Sequence, residues 1–441
     1  MTRASALLGP DHRGVGRQRI AVVGTGITGL LAAERLATRH DIAVFEADDR
    51  IGGHTHTVEV AGAHGPVAVD TGFIVCNDRT YPEFTALLDR LGVALRPSTM
   101  SFSVRCDATD IEYCGTGLGG LLAQRRNLLR PRFWAMLRGI LRFHHIAGQY
   151  ADSDLTLADL LREARLGEAF ARWYLLPMMA AIWSARPESL AAMPARFFVR
   201  FFRNHGMLQV RDRPQWRTVV GGSAAYLAPL SRTFADRVRL RTPVLGIQRS
   251  AGGVLVRTAG SEPERFDAVV LATHSDISLR LLEDASAEER AMLAAIPYQA
   301  NDVVLHTDTR LMPHRRAAWA AWNYRLPARP EERATVTYDM NTLMGLATPE
   351  RYLISLNSTA AIDPARILRR FEYDHPVFTP AGVAAQQRVA TINGRGRVWF
   401  CGAWCGFGFH EDGVRSALRV ADDFGIDNGM RARAGGEVVH A

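Results

Sequence analysis

The residues with the clearest chemical use are three glycines and a glutamate near the N-terminus: Gly24, Gly26, Gly29 and Glu46. The apolar run 20–23 predicts a buried strand, and a helical pattern follows the glycines. In such a unit the first glycine allows a tight turn, the second lets the backbone approach a pyrophosphate, and the third lets the helix pack on the strand. The acid lies 22 residues beyond Gly24, close to the spacing typical of a carboxylate that holds ribose hydroxyls. The pattern predicts a dinucleotide site, and a βαβ unit without a ligand is the alternative.

The segment that follows the glutamate narrows the choice of dinucleotide. It reads Asp49-Arg50-Ile51-Gly52-Gly53-His54-Thr55. With the glycine-rich turn before it, it resembles the superfamily of FAD-dependent amine oxidases and phytoene desaturases. The segments GGHTHTV, AIWS, NHG, LHTD and GFHEDG are similar to those of a bacterial subgroup of predicted NAD/FAD-binding, amine-oxidase-like proteins. The resemblance implies FAD as the cofactor.

The fold that the resemblance implies is α/β, a Rossmann-like FAD-binding domain of the glutathione-reductase or p-hydroxybenzoate-hydroxylase type with an inserted α+β substrate domain. The length of 441 residues also exceeds one ordinary core. We expect a discontinuous FAD-binding domain at 19–75, 215–275 and 390–428, and a substrate domain at 76–214 and 276–389. Residues 1–18 are expected to form a disordered leader and residues 429–441 a flexible tail.

The resemblance also assigns contacts to the cofactor. In relatives, the backbone of the Gly-Gly pair passes the pyrophosphate and flavin, a residue at Val244 meets adenine, and the last helix points its N-terminus at the flavin pyrimidine. The predicted cofactor-binding residues are Gly24, Gly26, Ile27, Thr28, Gly29, Glu46, Ala47, Gly52, Gly53, His54, Thr55, Val244, Ala272, Gly402, Asp412, Gly413 and Val414. Two positions depart from the family: His54 replaces an arginine, and Ala403 replaces an acid that holds the ribityl chain.

Any proton transfer needs a group that titrates near neutral pH, and His54, His56 and His410 are the candidates. For each of them a structural role as a hydrogen-bonded loop residue is the alternative. Glu411, beside His410, is the other candidate acid or base. Glu411 and Asp412 could replace the missing acid or could cap the helix predicted from Arg415 to Phe424, and for Asp412 we favour the cap.

Composition excludes some chemistry and indicates a compartment. All 53 residues counted as lysine or arginine are arginine, so lysine Schiff-base catalysis is excluded, as is the lysine that holds a water near the flavin in many amine oxidases. Five cysteines at irregular spacing favour a reducing cytosol and a cytoplasmic protein. Cys401 and Cys405 have neither redox-pair nor zinc-knuckle spacing, and no metal site is predicted. Together with His410, these two cysteines are the candidates for a covalent link to the flavin, and the sequence does not decide whether one forms.

Two arginine-rich apolar stretches raise the question of a membrane partner. Residues 124–148 predict a helix with large apolar side chains on one face and six arginines on the other, and residues 196–203 alternate four phenylalanines with arginines. Either stretch could touch the inner face of an anionic bilayer, or its apolar residues could be core. Together with the apolar residues 173–183, they would also suit a hydrophobic tunnel. Nucleic acid is not expected as a partner, because the arginines are dispersed and no nucleic-acid motif occurs. The sequence does not set the oligomeric state.

The function that we predict is transfer of a hydride between FAD and a hydrophobic substrate. The similar bacterial subgroup is commonly linked with fatty-acyl-modifying enzymes, so the resemblance implies a fatty-acyl lipid or polyisoprenoid as the substrate of a desaturase or dehydrogenase. A flavin amine oxidase, a redox-neutral flavin isomerase and a non-catalytic flavoprotein at the membrane are the alternatives.

Overall fold

A computed structural model describes residues 16–209, 213–328 and 333–427, with no account of the side chains of 187 and 188. The predicted leader 1–18, apart from 16–18, and the predicted tail 429–441 lie outside the described residues. The described strands are β1 Arg19–Val23, β2 Asp41–Phe45, β3 Thr57–Gly62, β4 Gly65–Asp70, β5 Leu95–Pro97, β6 Phe102–Cys106, β7 Ile111–Cys114, β8 Arg217–Val219, β9 Val238–Arg239, β10 Val244–Ser250, β11 Gly253–Thr258, β12 Glu264–Phe266, β13 Ala268–Leu271, β14 Tyr298–His306, β15 Trp322–Leu326, β16 Val336–Asp339, β17 Leu353–Leu356, β18 Ile367–Pro376 and β19 Val398–Phe400.

The helices alternate with these strands in the first part of the chain and cluster in the middle. The α-helices are α1 Ile27–Leu36, α2 Pro82–Leu91, α3 Gly117–Leu121, α4 Pro131–Ile146, α5 Leu157–Glu163, α6 Glu168–Phe170, α7 Leu176–Trp183, α8 Pro187–Ala191, α9 Ala195–Asn204, α10 Leu227–Ser231, α11 Ser275–Leu281, α12 Ala287–Leu293, α13 Met340–Met344, α14 Pro380–Gln386, α15 Val389–Ile392 and α16 His410–Asp423. A π-helical turn, Ala171–Leu175, joins α6 to α7. Short 3-10 helices lie at Arg125–Leu129, Ala147–Tyr150, Ser223–Tyr226, Ala235–Arg237, Thr309–Leu311, Arg316–Ala318, Thr359–Ala361, Pro364–Arg366, Arg395–Arg397 and Ala403–Cys405.

The parallel sheet at the centre of the cofactor domain has the strand order β19-β13-β1-β2-β9. Its strands read as continuous apolar runs because both of its faces are covered. In β1, Ile20 and Val22 pack on the side of α1 and α16. Ala21 and Val23 pack on the other side, against the antiparallel strands β10–β12. This layered arrangement is the Rossmann-like α/β domain predicted from the sequence.

A second sheet confirms the inserted α+β domain. Seven strands pair in the order β18-β14-β17-β16-β15-β6-β7. The two chain segments meet where β15 runs parallel to β6, with Trp322 opposite Phe102. Helices α5, α7 and α9 share one apolar core with this sheet, so a helical layer covers the face that carries Val303 and Ile354.

The packing divides the chain differently from the predicted domain boundaries. Helix α2 was expected in the substrate domain, yet its Phe84 and Leu88 pack with α1 and β1. Helices α12 and α14 likewise pack on the other face of the parallel sheet through Leu293 and Ala385. An amphipathic helix buries its apolar stripe on whichever layer is adjacent, and sequence order alone does not fix that layer.

Two element boundaries differ from those predicted. The last helix begins at His410 and not at Arg415, because residues 410–412 already take up the helical conformation. The stretch 124–148 divides at Pro131, which occupies the first position of α4 and therefore cannot lie within a longer helix. None of the helices in the described part of the chain is both long enough and apolar enough to cross a bilayer.

Candidate functional site

The turn between β1 and α1 has the geometry that its glycines predict. Gly24 has a φ of +98°, and a Cβ there would lie 2.8 Å from the carbonyl oxygen of Ala272. A Cβ on Gly29 would lie 1.9 Å from the carbonyl oxygen of Gly24, so only glycine lets α1 pack this closely. Gly26 differs from both, because no atom lies within 4 Å of a Cβ placed there. The backbone at Gly26 therefore faces open space, as the approach of a phosphate requires.

The N-terminus of α1 is free to receive an anion. Gly26 is the residue before the helix, and within the described part of the chain no side chain caps its first turn. The unpaired N–H groups and the helix dipole therefore face the open space beside Gly26. The second glycine pair lies against the same point, since Gly26 and Gly52 form a β-bridge and a Cβ on Gly53 would be 3.3 Å from the Cα of Gly26.

Glu46 and Arg50 hold the loops around this space. The Glu46 carboxylate, at the end of β2, accepts the N–H of Thr25 at 3.0 Å and that of Asp48 at 3.0 Å. Arg50 donates to the carbonyls of Gly53 at 2.9 Å and Thr55 at 3.3 Å. A role for Arg50 was missed from the sequence, although it stands four residues before the position where relatives carry arginine. It places a guanidinium beside the loop while His54 itself is uncharged.

The remaining predicted cofactor residues surround this centre. Ile27 and Thr28 lie in the first turn of α1, and α16 packs on them, since a Cβ on Gly413 would lie 2.6 Å from the Thr28 hydroxyl. Gly402 donates its N–H to Ser416 of α16 at 3.0 Å. Ala47 follows Glu46 on the exposed side, Val244 begins β10 in the core beside Phe45, Ala272 follows β13, and Val414 is buried in α16. The contacts of these residues with FAD remain predictions.

Asp412 caps the helix in which it lies. It is the third residue of α16, and its carboxylate accepts the N–H of Phe409 at 3.0 Å. This contact accords with the cap favoured from the sequence, and it draws the 403–409 loop onto the helix start.

Glu411 caps a different helix. Its carboxylate accepts the N–H groups of Glu83 at 3.2 Å and Phe84 at 3.0 Å, in the first turn of α2, and the Nε of Arg415 at 2.9 Å. The side chain is buried, and burial raises the pKa of its carboxyl to about 7. This pKa suits an acid or base, but both carboxylate oxygens already accept hydrogen bonds from main-chain N–H groups of α2. The contacts favour a structural role, as a cap of α2 and not of the last helix that the sequence suggested.

His410 is held in an uncharged environment. Its Nε2 contacts the Thr55 hydroxyl at 3.0 Å and the Tyr226 hydroxyl at 3.2 Å, and its ring stacks on Phe73 with centroids 3.7 Å apart. Desolvation lowers the pKa of His410 to about 3. A histidine whose pKa is lowered this far is neutral at pH 7. It can orient a hydrogen bond but is a poor proton donor.

His54 and His56 belong to a second cluster, on the side of the seven-stranded sheet. The rings of Tyr373 and His375 lie 4.9 Å and 5.5 Å from His54, whose Nε2 is buried without a partner among the described residues. His56 bonds to the Tyr373 hydroxyl at 2.9 Å. Desolvation lowers the pKa of His54 well below its usual range and that of His56 to about 4. These lowered pKa values favour the alternative for both histidines, a structural role as hydrogen-bonded loop residues.

Asp70 joins the cofactor domain to the segment that follows β8. Its carboxylate accepts a hydrogen bond from the Thr57 hydroxyl at 2.6 Å, and from the N–H of Ser223 at 2.8 Å and its hydroxyl at 2.9 Å. It is fully buried, and burial raises the pKa of Asp70 to about 6. Only glycine fits at position 222, since a Cβ there would lie 2.5 Å from the side chain of Thr57.

The two cysteines near the site are protonated thiols. Cys401 is buried and Cys405 half-buried, and both are free. Desolvation raises the pKa of Cys401 well above its usual range and that of Cys405 to about 12. Because the thiolate is the reactive form, neither is activated in this environment.

An aromatic wall stands beside the start of α16. Phe197 of α9 lies 4.9 Å from Phe407, and Phe201 lies 5.2 Å from Phe409, measured between ring centroids. Trp183 of α7 donates its indole N–H to the Phe407 carbonyl at 3.3 Å. The stretches 173–183 and 196–203 are thus brought to one place, which the sequence could only suggest. All four phenylalanines of α9 are buried, so they do not form a membrane contact.

A cavity of about 810 Å³ opens between α16, α9, α14, α15 and the segment 79–81 that precedes α2. Phe407, Phe409, Tyr81 and His205 line the part near the start of α16. The charged residues of its lining are Arg79, Arg203, Arg415, Arg419, Glu411, Asp412, Asp422 and Asp423. Its size suits a small organic ligand, and its lining is amphipathic.

The residues at the β1–α1 turn fit a bound dinucleotide. The fit rests on the open space at Gly26, the uncapped N-terminus of α1 and the carboxylate of Glu46 at the end of β2. Residues 27–368 match the family model described as flavin containing amine oxidoreductase. The fold and the site define an FAD-dependent oxidoreductase. The chain belongs to the flavin containing amine oxidoreductase family.

Individual relatives are more distant. A Mycobacterium tuberculosis protein named as a flavin-containing monoamine oxidase, AofH, is 28% identical over 261 residues, which cover 57% of this chain and 56% of the relative. Amine oxidase A of Canis lupus familiaris is 22% identical over 310 residues, which cover 64% of this chain and 54% of the relative. The chain thus spans about half the length of these curated relatives. Cyclohexylamine oxidase from Brevibacterium oxydans has the same fold, with a TM-score of 0.67 and 19% identity. The match covers 92% of this chain and 98% of that protein.

The first prediction separates packing from cofactor contact at two glycines. G26A should cost no more than about 1 kcal/mol in unfolding free energy, since its Cβ meets open space, yet it should weaken FAD binding at least tenfold. G29A should lower both the unfolding free energy and the affinity for FAD, and overpacking should account for a loss of about 1–3 kcal/mol in unfolding free energy. Urea unfolding of the FAD-free protein and FAD titration measure the two effects. G148A, also in open space, is the control. Unchanged FAD affinity in G26A would contradict the assigned site.

The second prediction concerns Glu411. If it caps α2, E411A should lower the free energy of unfolding by about 1–3 kcal/mol, because two buried N–H groups lose their acceptor. The flavin spectrum and the turnover of the folded protein should stay close to wild type. The exposed E372A is the matched control. A hundredfold loss of turnover with unchanged stability would instead identify a catalytic acid or base.

The third prediction is that stability rises with pH between about pH 4 and 6.5. Five histidines have a folded-state pKa of about 3–4 against an ordinary value of 6.5, so in this window the unfolded chain binds more protons. Their contribution is complete above pH 6.5 and is lost as the pH falls. Asp70, Glu411 and Asp412 act in the opposite sense, because a raised carboxyl pKa gives stability at low pH that is lost as the pH rises. The histidines outnumber them.

The measurement is the urea midpoint at several pH values. Buried His306 has a pKa lowered to about 4, so H306Q should flatten the rise. H64Q, in the exposed turn between β3 and β4, should leave it unchanged. A urea midpoint that decreases as the pH is raised from about 4.5 to 6.5 would refute the assignment of neutral histidines.

Proposed function

We propose that this FAD-dependent oxidoreductase acts on a hydrophobic substrate, a fatty-acyl lipid or a polyisoprenoid, as a desaturase or dehydrogenase. The observation that carries the proposal is the aromatic wall of α7, α9 and the 407–409 loop. It lies directly before α16, the helix whose N-terminus faces the flavin in the resembled family. Within this wall Trp183, Phe197 and Phe201 are buried and uncharged. Apolar surface of this kind favours a substrate without charge at the reacting carbon.

FAD, when bound, accepts or delivers a hydride, and the protein supplies position and electrostatics. The residues around the site suit that division of work. His410 is neutral and is fixed by Thr55 and Tyr226, so it can donate or accept a hydrogen bond without adding charge. The apolar wall lines one side of the start of α16. The amphipathic cavity supports a substrate with an apolar chain and a polar end, since aromatic and charged residues share its lining.

A structural neighbour fits the same substrate class. A fatty acid isomerase from P. acnes that produces CLA has a TM-score of 0.65 with 18% identity, and covers 92% of this chain and 97% of its own. At this identity the similarity supports the fold, and the substrate class is our inference. Two neighbours of one fold that act on an amine and on a fatty acid show that the fold accepts both.

Amine oxidation is the second candidate. The relatives named as amine oxidases favour it, and the rings of Phe407 and Phe409 could flank an amine. Against it, the chain has no lysine, whereas many amine oxidases hold a water near the flavin with one. Glu411 and Asp412 also have their oxygens occupied by helix caps.

The fourth prediction separates these candidates by the visible spectrum. Under anaerobic conditions, acyl lipids should bleach the oxidised flavin bands of the purified protein, whereas primary amines and polyamines should not. F201S, which opens the aromatic wall, should raise KM for the lipid at least tenfold. Its matched control is the equally buried F133S, in a separate core beside Tyr113, which would report lost stability alone. Bleaching by amines alone would make the protein an amine oxidase, and lipid turnover without an electron acceptor would make it an isomerase.

A further inference from the structure

A surface distant in sequence from the glycine-rich turn has an unusual composition. From Thr116 to Gln149 the chain carries six arginines and no aspartate or glutamate. The same stretch contains five of the eight exposed large apolar side chains found among the described residues: Leu118, Leu128, Leu129, Trp134 and Leu141. Exposed apolar residues are normally scattered singly, so this concentration calls for an explanation.

Helix α4 has an apolar stripe on the inside and a second group of apolar residues outside. Its Phe133, Met136 and Phe143 are fully buried and pack in the core. At 100° per residue, Trp134 and Leu141 fall on the side opposite Met136 and Phe143. They are 44% and 63% exposed. The outer apolar residues are therefore not needed for the core.

The preceding turn extends this outer face. The indole N–H of Trp134 donates to the carbonyl of Leu128 at 2.9 Å, which fixes the ring beside the 3-10 helix 125–129. Leu129, next in the chain, is 86% exposed. Leu128, Leu129, Trp134 and Leu141 are called the outer patch below.

Arginines surround the outer patch. Arg138 and Arg142 lie on the same half of α4 as Trp134 and are exposed, as are Arg125 and Arg132. These four have no carboxylate partner in the described part of the chain, whereas Arg126 is paired with Asp110. Amphipathic surfaces with tryptophan and leucine between arginines match an anionic bilayer, where the apolar residues enter the acyl boundary and the guanidinium groups meet phosphates.

We infer that the outer patch docks this protein on an anionic lipid surface. The charge and the protruding side chains favour a bilayer over a second copy of the chain, since two copies would bring like charges together. The inference goes beyond the proposed function, because it rests on surface residues and its test needs no turnover. Of the two stretches considered from the sequence, it involves 124–148 alone, since the phenylalanines of α9 are buried in the core.

The fifth prediction is tested by flotation of the FAD-loaded protein with vesicles. Binding to vesicles of phosphatidylcholine with phosphatidylglycerol should exceed binding to phosphatidylcholine alone at least tenfold, and 0.5 M salt should remove most of it. L129S/W134S and R138Q/R142Q should each weaken binding about tenfold or more. V220S/L245S and R369Q/R370Q, which change exposed residues elsewhere, should bind like wild type.

The flavin spectrum of each variant shows whether it is folded. The inference is overturned if folded patch variants float like wild type, or if binding ignores lipid charge and salt. It is also overturned if wild type self-associates without vesicles and L129S/W134S does not, because the patch would then be covered by a second copy. Lipid that bleaches the flavin without vesicle binding would uphold the proposed function and overturn this inference alone.

Discussion

The site depends on one close approach of backbone to backbone. The turn after β1, the helix α1 and the end of β13 come within contact distance of each other because Gly24 and Gly29 have no side chain. This approach aims the N-terminus of α1 at open space and leaves room for α16 to pack on Thr28. Every later feature of the site, from the Gly52–Gly53 turn to the 403–409 loop, is built against these elements.

The parts around this centre are held together by buried carboxylates that accept main-chain N–H groups. Asp70 holds the segment at Ser223, Glu411 holds the start of α2, and Asp412 holds the loop before α16. Each carboxyl is removed from water, which raises its pKa, and each is satisfied by hydrogen bonds rather than by a buried ion pair alone. Residues distant in the chain thereby become one rigid frame around the cofactor position.

The electrostatic character of the site follows from the same exclusion of water. The histidines are neutral, the cysteines are protonated, and no lysine exists to supply an amine. Protein groups at the site therefore offer hydrogen bonds and apolar surface more than mobile protons. That character suits an oxidoreductase in which the redox chemistry belongs to FAD and the protein selects an apolar substrate.

The sequence by itself determined the glycine-rich turn and its dinucleotide site, because those depend on local patterns: an apolar strand, glycines at fixed spacing and an acid at the end of the next strand. The resemblance to a known family added the fold class and FAD as the cofactor. Only the tertiary structure decided what the candidate side chains do. Glu411 caps a helix 328 residues away along the chain, and His410 meets Thr55 over a separation of 355. Such contacts leave no periodic trace in sequence, and burial, which sets the pKa of each group, is a property of the packed molecule alone.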